Sequence, residues 1–207
     1  MDQLIPITTL FLDIGGVLLS NGWGQESRKS ATDTFHLNQE EMESQHHHQN
    51  IEKHEEEKFT LSQYLNRVIF YEKRSFTPDQ FREFIFSQST PNGKMIEFIK
   101  LLKEQYKLKI AVINNEGRIL NEYLVKKFQL SQFVDFFISS YFVHYRKPDT
   151  DIFRLALDIE QIPAEKAVYI EDLQMFVEVA RSMGIKSVRH NNYLSTSEVL
   201  ATLGLTI

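Results

Sequence analysis

The chain reads as an α/β protein: a Rossmann-like parallel sheet with helices on both faces, plus a small helical domain inserted after the first strand. Three observations predict this. Apolar runs at residues 8–12, 110–113, 136–138 and 167–170 alternate with stretches whose apolar side chains recur at helical spacing. Three of those runs stop at polar residues, as strands do where a parallel sheet presents its carboxyl edge to a ligand. Residues from about 20 to 90 hold few β-branched alternations and many charged or amide side chains, the pattern of a helical insertion.

In chain order, the first strand ends at Asp13 and is followed at once by Ile14-Gly15-Gly16-Val17. The two glycines let the backbone turn sharply and let a bulky anion approach main-chain N–H groups, that of Gly16 among them. Helices are expected over 27–35, 39–54, 61–71 and 78–86. Past Pro91-Asn92-Gly93 the pattern changes: Met95, Phe98, Ile99 and Leu102 share a helical face, and a strand over 109–113 runs into Asn114-Asn115-Glu116-Gly117. Leu120, Tyr123, Leu124 and Phe128 line the next helix. Pro148 disfavours helical geometry for the residue before it, so Lys147 is expected to be extended, just outside a helix over 151–160. The strand 167–170 delivers Glu171-Asp172, Leu173, Phe176, Val177 and Ala180 repeat the helix spacing, and 185–188 reads as the final strand. Residues 1–19 with 91–207 therefore form the α/β core, and 20–90 the inserted helical domain.

With these segments in this order, the chain resembles the haloacid dehalogenase superfamily, most closely its phosphatase-like members with a helical cap after the first strand. The resemblance covers essentially the whole chain. It implies that Asp13 is a nucleophile, that Asn114 stands where a Ser or Thr usually binds phosphate, and that Asn115 is the asparagine that often follows. Lys147 corresponds to the phosphate-neutralising lysine, and Glu171 with Asp172 to the acidic motif that holds Mg²⁺. Gly15 is the largest departure. Many family phosphatases carry there a second aspartate that protonates the leaving alcohol, whereas some relatives resembling sugar-1-phosphate phosphatases carry glycine.

The residue types suit that chemistry. A carboxylate attacking phosphorus splits one difficult hydrolysis into two displacements. Its obstacle is electrostatic, and a divalent cation with a lysine is the usual remedy. Mg²⁺ prefers hard oxygen ligands, which Asp13, the Gly15 carbonyl, Glu171 and Asp172 would supply. Glu116 is a candidate for the missing acid, or a residue favoured by a helix N-terminus. The expected substrate is a small phosphorylated metabolite, with a sugar phosphate among the possibilities. Two rivals are a 2-haloacid dehalogenase, needing no metal but a cation for the substrate carboxylate, and a degenerate member that binds phosphate or a partner without turnover.

Composition sets outer bounds. At 207 residues and 42% hydrophobic content the chain can bury a core alone. A net charge of −5 gives no general attraction to nucleic acid or anionic membrane. The absence of cysteine excludes disulfides and thiol chemistry, and with no signal-like or membrane-length apolar segment a cytoplasmic protein is expected. The run His46-His47-His48 reads as a solvated helix face, because adjacent helical residues cannot converge on one ion. Trp23 either closes over substrate or anchors the cap. Phe59, Phe70, Tyr71, Phe76, Phe81, Phe84 and Phe86 are expected to pack within the cap, and His144 and Tyr145 to be surface loop residues.

Overall fold

The computed structural model describes residues 6–48 and 50–207. Five parallel strands, β1 (Thr9–Leu12), β2 (Lys109–Asn114), β3 (Phe136–Ser139), β4 (Ala167–Glu171) and β5 (Lys186–Arg189), form one sheet in the order β3-β2-β1-β4-β5. The cause is visible in how side chains alternate. Leu10, Leu12, Ile110, Val112, Val168 and Ile170 pack into one cluster, while Phe11, Ala111, Ile113, Ala167 and Tyr169 pack into another on the opposite face. A strand buried on both faces reads as an unbroken apolar run, so each run in the sequence became a strand.

Helices α1 (Gln25–Phe35), α2 (Gln39–His47), α3 (Asn50–Glu55), α4 (Leu61–Val68) and α5 (Pro78–Ser87) lie between β1 and α6 (Gly93–Tyr106). The expected helix over 39–54 is thus two helices, and residue 49 between them lies outside the described residues, as do 1–5 at the start of the expected core. The helix expected over 61–71 ends at Val68, where Arg74 Nε donates to the Ile69 carbonyl at 2.7 Å. Both α4 and α5 open with a capping box, Thr60 with Gln63 and Thr77 with Gln80, which satisfies two orphan N–H groups each. Phe35, Phe76, Phe81 and Phe84 form one aromatic cluster of these helices. Tyr71 stays outside it, 41% exposed. Phe86 instead stacks on Tyr123 of α7 (Arg118–Lys127) at 4.5 Å, joining α5 to the sheet's helices.

The remaining helices cover the sheet: α6, α7 and α11 (Tyr193–Thr202) on the Leu10 face, α9 (Thr150–Glu160) and α10 (Gln174–Ser182) on the Phe11 face, with the one-turn α8 (Ser140–Val143) after β3. No helix among the described residues is long and apolar enough to cross a membrane. The strand order reverses at β1, whose neighbours are β2 and β4. Register pairs Leu12 with Val112 and Ile170, so Asp13, Asn114, Glu171 and Asp172 emerge together at one edge. That edge is where a crevice opens in such sheets.

Candidate active site

Asp13 follows the last residue of β1, and its N–H donates to the Ile170 carbonyl at 3.0 Å, which fixes the turn against β4. Its carboxylate lies 2.9 Å from Lys147 Nζ, and the same ammonium donates to Glu171 Oε2 at 2.6 Å. Lys147 is only 1% exposed, with the rings of Phe176 and Tyr169 at 5.0 and 5.8 Å from Nζ. Burying an ammonium this way requires a carboxylate partner, which Glu171 supplies at the shorter distance, because an unpaired charge in the interior costs several kcal/mol. Asn115 fixes the lysine's backbone: its Oδ1 accepts the Lys147 N–H and its Nδ2 donates to the Lys147 carbonyl, each at 2.8 Å. The Lys147–Pro148 peptide bond is cis. The side chain of Asn115 is therefore committed to positioning Lys147.

Glu171 is wholly buried and fully engaged. Besides Lys147, its Oε2 accepts the Tyr169 hydroxyl, and its Oε1 accepts the Leu173 N–H at 3.0 Å. Tyr169 sits two residues earlier on the same strand face, so period 2 puts the phenol beside the acid. Asp172, by contrast, borders open space, and Asp13, Glu171 and Asp172 each offer an oxygen within 4.8 Å of the others. Gly16 explains the second glycine. Its φ is +75° and a Cβ there would sit 2.3 Å from the Asp172 carboxylate, so only glycine fits. Gly15 has no such constraint: a Cβ would meet Asn21 Oδ1 at 3.7 Å, an ordinary contact.

Asp13, Gly15, Asn115, Lys147 and Asp172 line a cavity of about 480 Å³ between the sheet edge and α1–α3. Asn114 also lines it. Its Nδ2 donates to Asn121 Oδ1 at 3.0 Å, and its Oδ1 is buried without a partner. Turning both amides end for end would keep the bond between them, let Asn121 donate to Ser139 Oγ, and present the Asn114 NH₂ where the orphan oxygen stands. Glu116 lines the cavity as well, with Oε1 accepting the Gly117 N–H at 3.0 Å.

The electrostatics call for a cation. Burial pushes the Asp13 carboxyl up to about 8, with Glu171 and Asp172 adding to this and Lys147 opposing it. Asp172 rises to about 7 through burial and its neighbour Glu171, and Glu116 to about 8 through burial, Glu55 and Asp13. Burial would raise Glu171 too, but Lys147 outweighs it and holds that acid down; reciprocally, the two acids overcome burial and raise Lys147. Three carboxylates face one ammonium. An oxygen-only set with surplus negative charge fits Mg²⁺.

The insertion contributes more than its sequence suggested. Arg146, next to Lys147, pairs with Glu55 at 2.9 Å and Glu52 at 3.3 Å, both on α3. Tyr141 donates to Glu57 Oε1 at 2.6 Å, Ser140 to the Glu55 carbonyl at 2.8 Å, and His54 packs where a Cβ on Gly117 would stand. Trp23 both lines the cavity and anchors the insertion, with its ring edge on Phe81 at 5.8 Å and Nε1 donating to Tyr64 Oη at 2.9 Å. Of the histidine run, His47 and His48 are exposed as expected, but His46 is buried, its Nδ1 2.6 Å from Tyr64 Oη. Tyr64, eighteen residues on, supplies a partner that no local pattern reveals. His144 and Tyr145 are exposed, as surface loop residues should be.

The structure is similar to a HAD family enzyme, BT-2542 of Bacteroides thetaiotaomicron: TM-score 0.81, 17% identity, covering 95% of this chain and 99% of that one. The wild-type form of that protein in complex with magnesium and inorganic phosphate superposes with a TM-score of 0.72 at 18% identity, over 88% and 93% of the two chains. A HAD-like hydrolase of Porphyromonas gingivalis gives 0.76 at 16% identity over 96% and 98%. An L-2-haloacid dehalogenase of Xanthobacter autotrophicus, with chloropropionic acid covalently bound, gives 0.64 at 14% identity over 95% and 84%. Comparison with curated protein sequences gives no match. The sequence model of haloacid dehalogenase-like hydrolases, however, matches residues 18–190, and the chain belongs to that family.

Proposed function

We propose that the protein is a Mg²⁺-dependent phosphatase that hydrolyses a small phosphorylated metabolite through a phospho-Asp13 intermediate. The observation that carries this is Asp13 itself, held between a buried ammonium at 2.9 Å and an oxygen-only acidic trio. Asp13 attacks phosphorus, and the leaving oxygen departs on the far side; water then releases phosphate from the acyl phosphate. Lys147 offsets the charge that accumulates as two anions approach. Asn114 and the Gly16 N–H hold phosphate oxygens, and Asn115 acts through Lys147. Asp13, Asp172 and the Gly15 carbonyl would hold Mg²⁺, with Glu171 adding its buried negative charge. When bound, the ion supplies charge neutralisation to the phosphate. Glu116, pushed up to about 8, keeps a proton at neutral pH and is the candidate donor to the leaving group in place of a side chain at Gly15. Helices α1–α5 act as the cap that shapes the substrate pocket.

Release of phosphate from para-nitrophenyl phosphate, dependent on Mg²⁺ and abolished by chelator, tests the reading. Turnover of 2-chloropropionate in chelator would favour the dehalogenase instead. That rival needs a cation free to hold a carboxylate. Both arginines lining the cavity are already paired, Arg28 with Glu43 at 2.7 and 2.9 Å and Arg146 with Glu55 and Glu52. Absence of turnover on both substrates would leave the degenerate, binding-only protein.

A further inference from the structure

On the cap side of the cavity, the His46 imidazole has a ring nitrogen that nothing among the described residues satisfies. Trp23 Nε1 can only donate, so at 2.9 Å it occupies a lone pair of Tyr64 Oη. The phenol's own proton then needs an acceptor, and among the described residues the remaining neighbour is His46 Nδ1, at 2.6 Å. Tyr64 is 1% exposed, so this proton has no route to bulk water. If His46 donated instead, the phenolic hydrogen would be stranded, at the cost of an unmade buried hydrogen bond. The chain of donation therefore runs from Trp23 to Tyr64 to His46 and leaves the imidazole's hydrogen on Nε2. That nitrogen has no partner among the described residues, and the ring, 4% exposed, lines the cavity that Asp13 and Asp172 border. The imidazole is also neutral, since burial and Arg28 drive its pKa down to about 3.

The charges around it narrow what it meets. Arg28, Arg146 and Lys147, the arginines and lysine lining the cavity, are each paired with carboxylates at 2.6 to 3.3 Å. A second anionic group on the substrate would find no free cation among these three and would face the Glu55 carboxylate. An uncharged oxygen, by contrast, can accept from Nε2–H at no electrostatic cost.

Resting on the phosphatase reading, we infer that the group attached to the phosphate is uncharged and hydroxylated, a polyol or sugar, and that His46 Nε2–H holds one of its oxygens. Tyr64 and Trp23 are positioning residues that lock the imidazole in the donating tautomer. A neutral hydrogen bond of this kind is worth about tenfold in kcat/KM at most when its donor is removed.

The test has two arms. Nitrogen-15 NMR of the histidine side chains, which requires no turnover, should give His46 as the neutral Nε2–H tautomer, and Tyr64→Phe should shift it; an Nδ1–H tautomer or an imidazolium at pH 7 overturns the inference. In the kinetic arm, glycerol 3-phosphate and glucose 6-phosphate should exceed 3-phosphoglycerate and 6-phosphogluconate in kcat/KM by at least about tenfold. His46→Leu should lower the ratio of glycerol 3-phosphate to phenyl phosphate about five- to tenfold, and His46→Gln, which keeps a donor, should restore most of it. Preference for the acids, or an unchanged ratio in His46→Leu, overturns the inference while leaving the phosphatase standing. Hydrolysis of none of these esters, phenyl phosphate included, overturns the phosphatase reading and the inference with it.

Discussion

Replacing Lys147 with methionine keeps most of the stem in its slot against Phe176 and Tyr169 and removes only the charge. Two carboxylates are then left uncompensated, Asp13 at 2.9 Å and Glu171 at 2.6 Å from the lost ammonium, the latter wholly buried. Breaking such a pair from one side costs about 3–5 kcal/mol, which for a chain of this size lowers Tm by about 10 °C. The pH dependence carries the argument further. In the intact protein Lys147 holds Glu171 below its usual value; without it, burial raises both acids. An acid raised on folding destabilises above its unfolded pKa, near 4, and increasingly as pH climbs toward the folded value. The lysine's own contribution, with its pKa raised, is fully present below its unfolded value and lost only at high alkalinity. The deficit of Lys147→Met should therefore be largest near pH 8, shrink toward pH 5 as the acids protonate, and be partly recovered by millimolar Mg²⁺. Thermal unfolding followed by circular dichroism at both pH values, with chelator and with Mg²⁺, measures this. A deficit under about 2 °C at pH 8, or one independent of pH, would refute the account of the buried trio.

Asp13→Asn should fold normally, being nearly isosteric, yet lose essentially all phosphate release, because an amide cannot form the acyl phosphate; retention of most activity rules out the covalent route. Gly16→Ala should destabilise by at least about 1–2 kcal/mol from its φ alone and weaken Mg²⁺ binding through the Asp172 clash, whereas Gly15→Ala, with an open Cβ position, should change Tm little; equal denaturation midpoints for the two would contradict the turn geometry. Glu116→Gln should raise stability at pH 8 by a few kcal/mol and hardly at all at pH 4.5, since the acid's folded pKa near 8 lies above its unfolded value and its destabilisation grows between the two. In the same variant, phosphate esters with basic leaving alcohols should lose more rate than aryl esters, and a uniform loss would remove Glu116 as the proton donor.

The sheet and its polar edge were readable from residue order because buried parallel strands leave little room for anything but apolar runs ending in chemistry. Asp13, Asn114, Lys147 and Asp172 all border one cavity for that reason, and Glu171 stands beside them. What escaped the sequence reading depends on partners far along the chain. Tyr169 follows from strand period and could have been paired with Glu171 in advance. Arg146 could not, since its partners sit on α3, about ninety residues earlier. His46 looked solvated because its helix is polar nearly all round, and only Tyr64 makes its burial tolerable. Helix α11 is hard to read in the sequence because Ser195, Thr196 and Ser197 dilute its apolar face; Asn192, accepting the Ser195 N–H, is its start signal.

Arg146 and Lys147 are consecutive, yet one grips the helical insertion and the other Asp13. In the proposed phosphatase, any movement of α1–α5 away from the sheet would part Arg146 from Glu52 and Glu55, partly exposed contacts that dissolved ions screen, while the Lys147 contacts stay buried and unscreened. Ionic strength would thus act on the two unequally: it would loosen the hold on the insertion and leave the ammonium's pairing with Asp13 alone. The hold on the insertion and the hold on Asp13 meet at a single peptide bond, so the two lie side by side without any element having to cross the molecule.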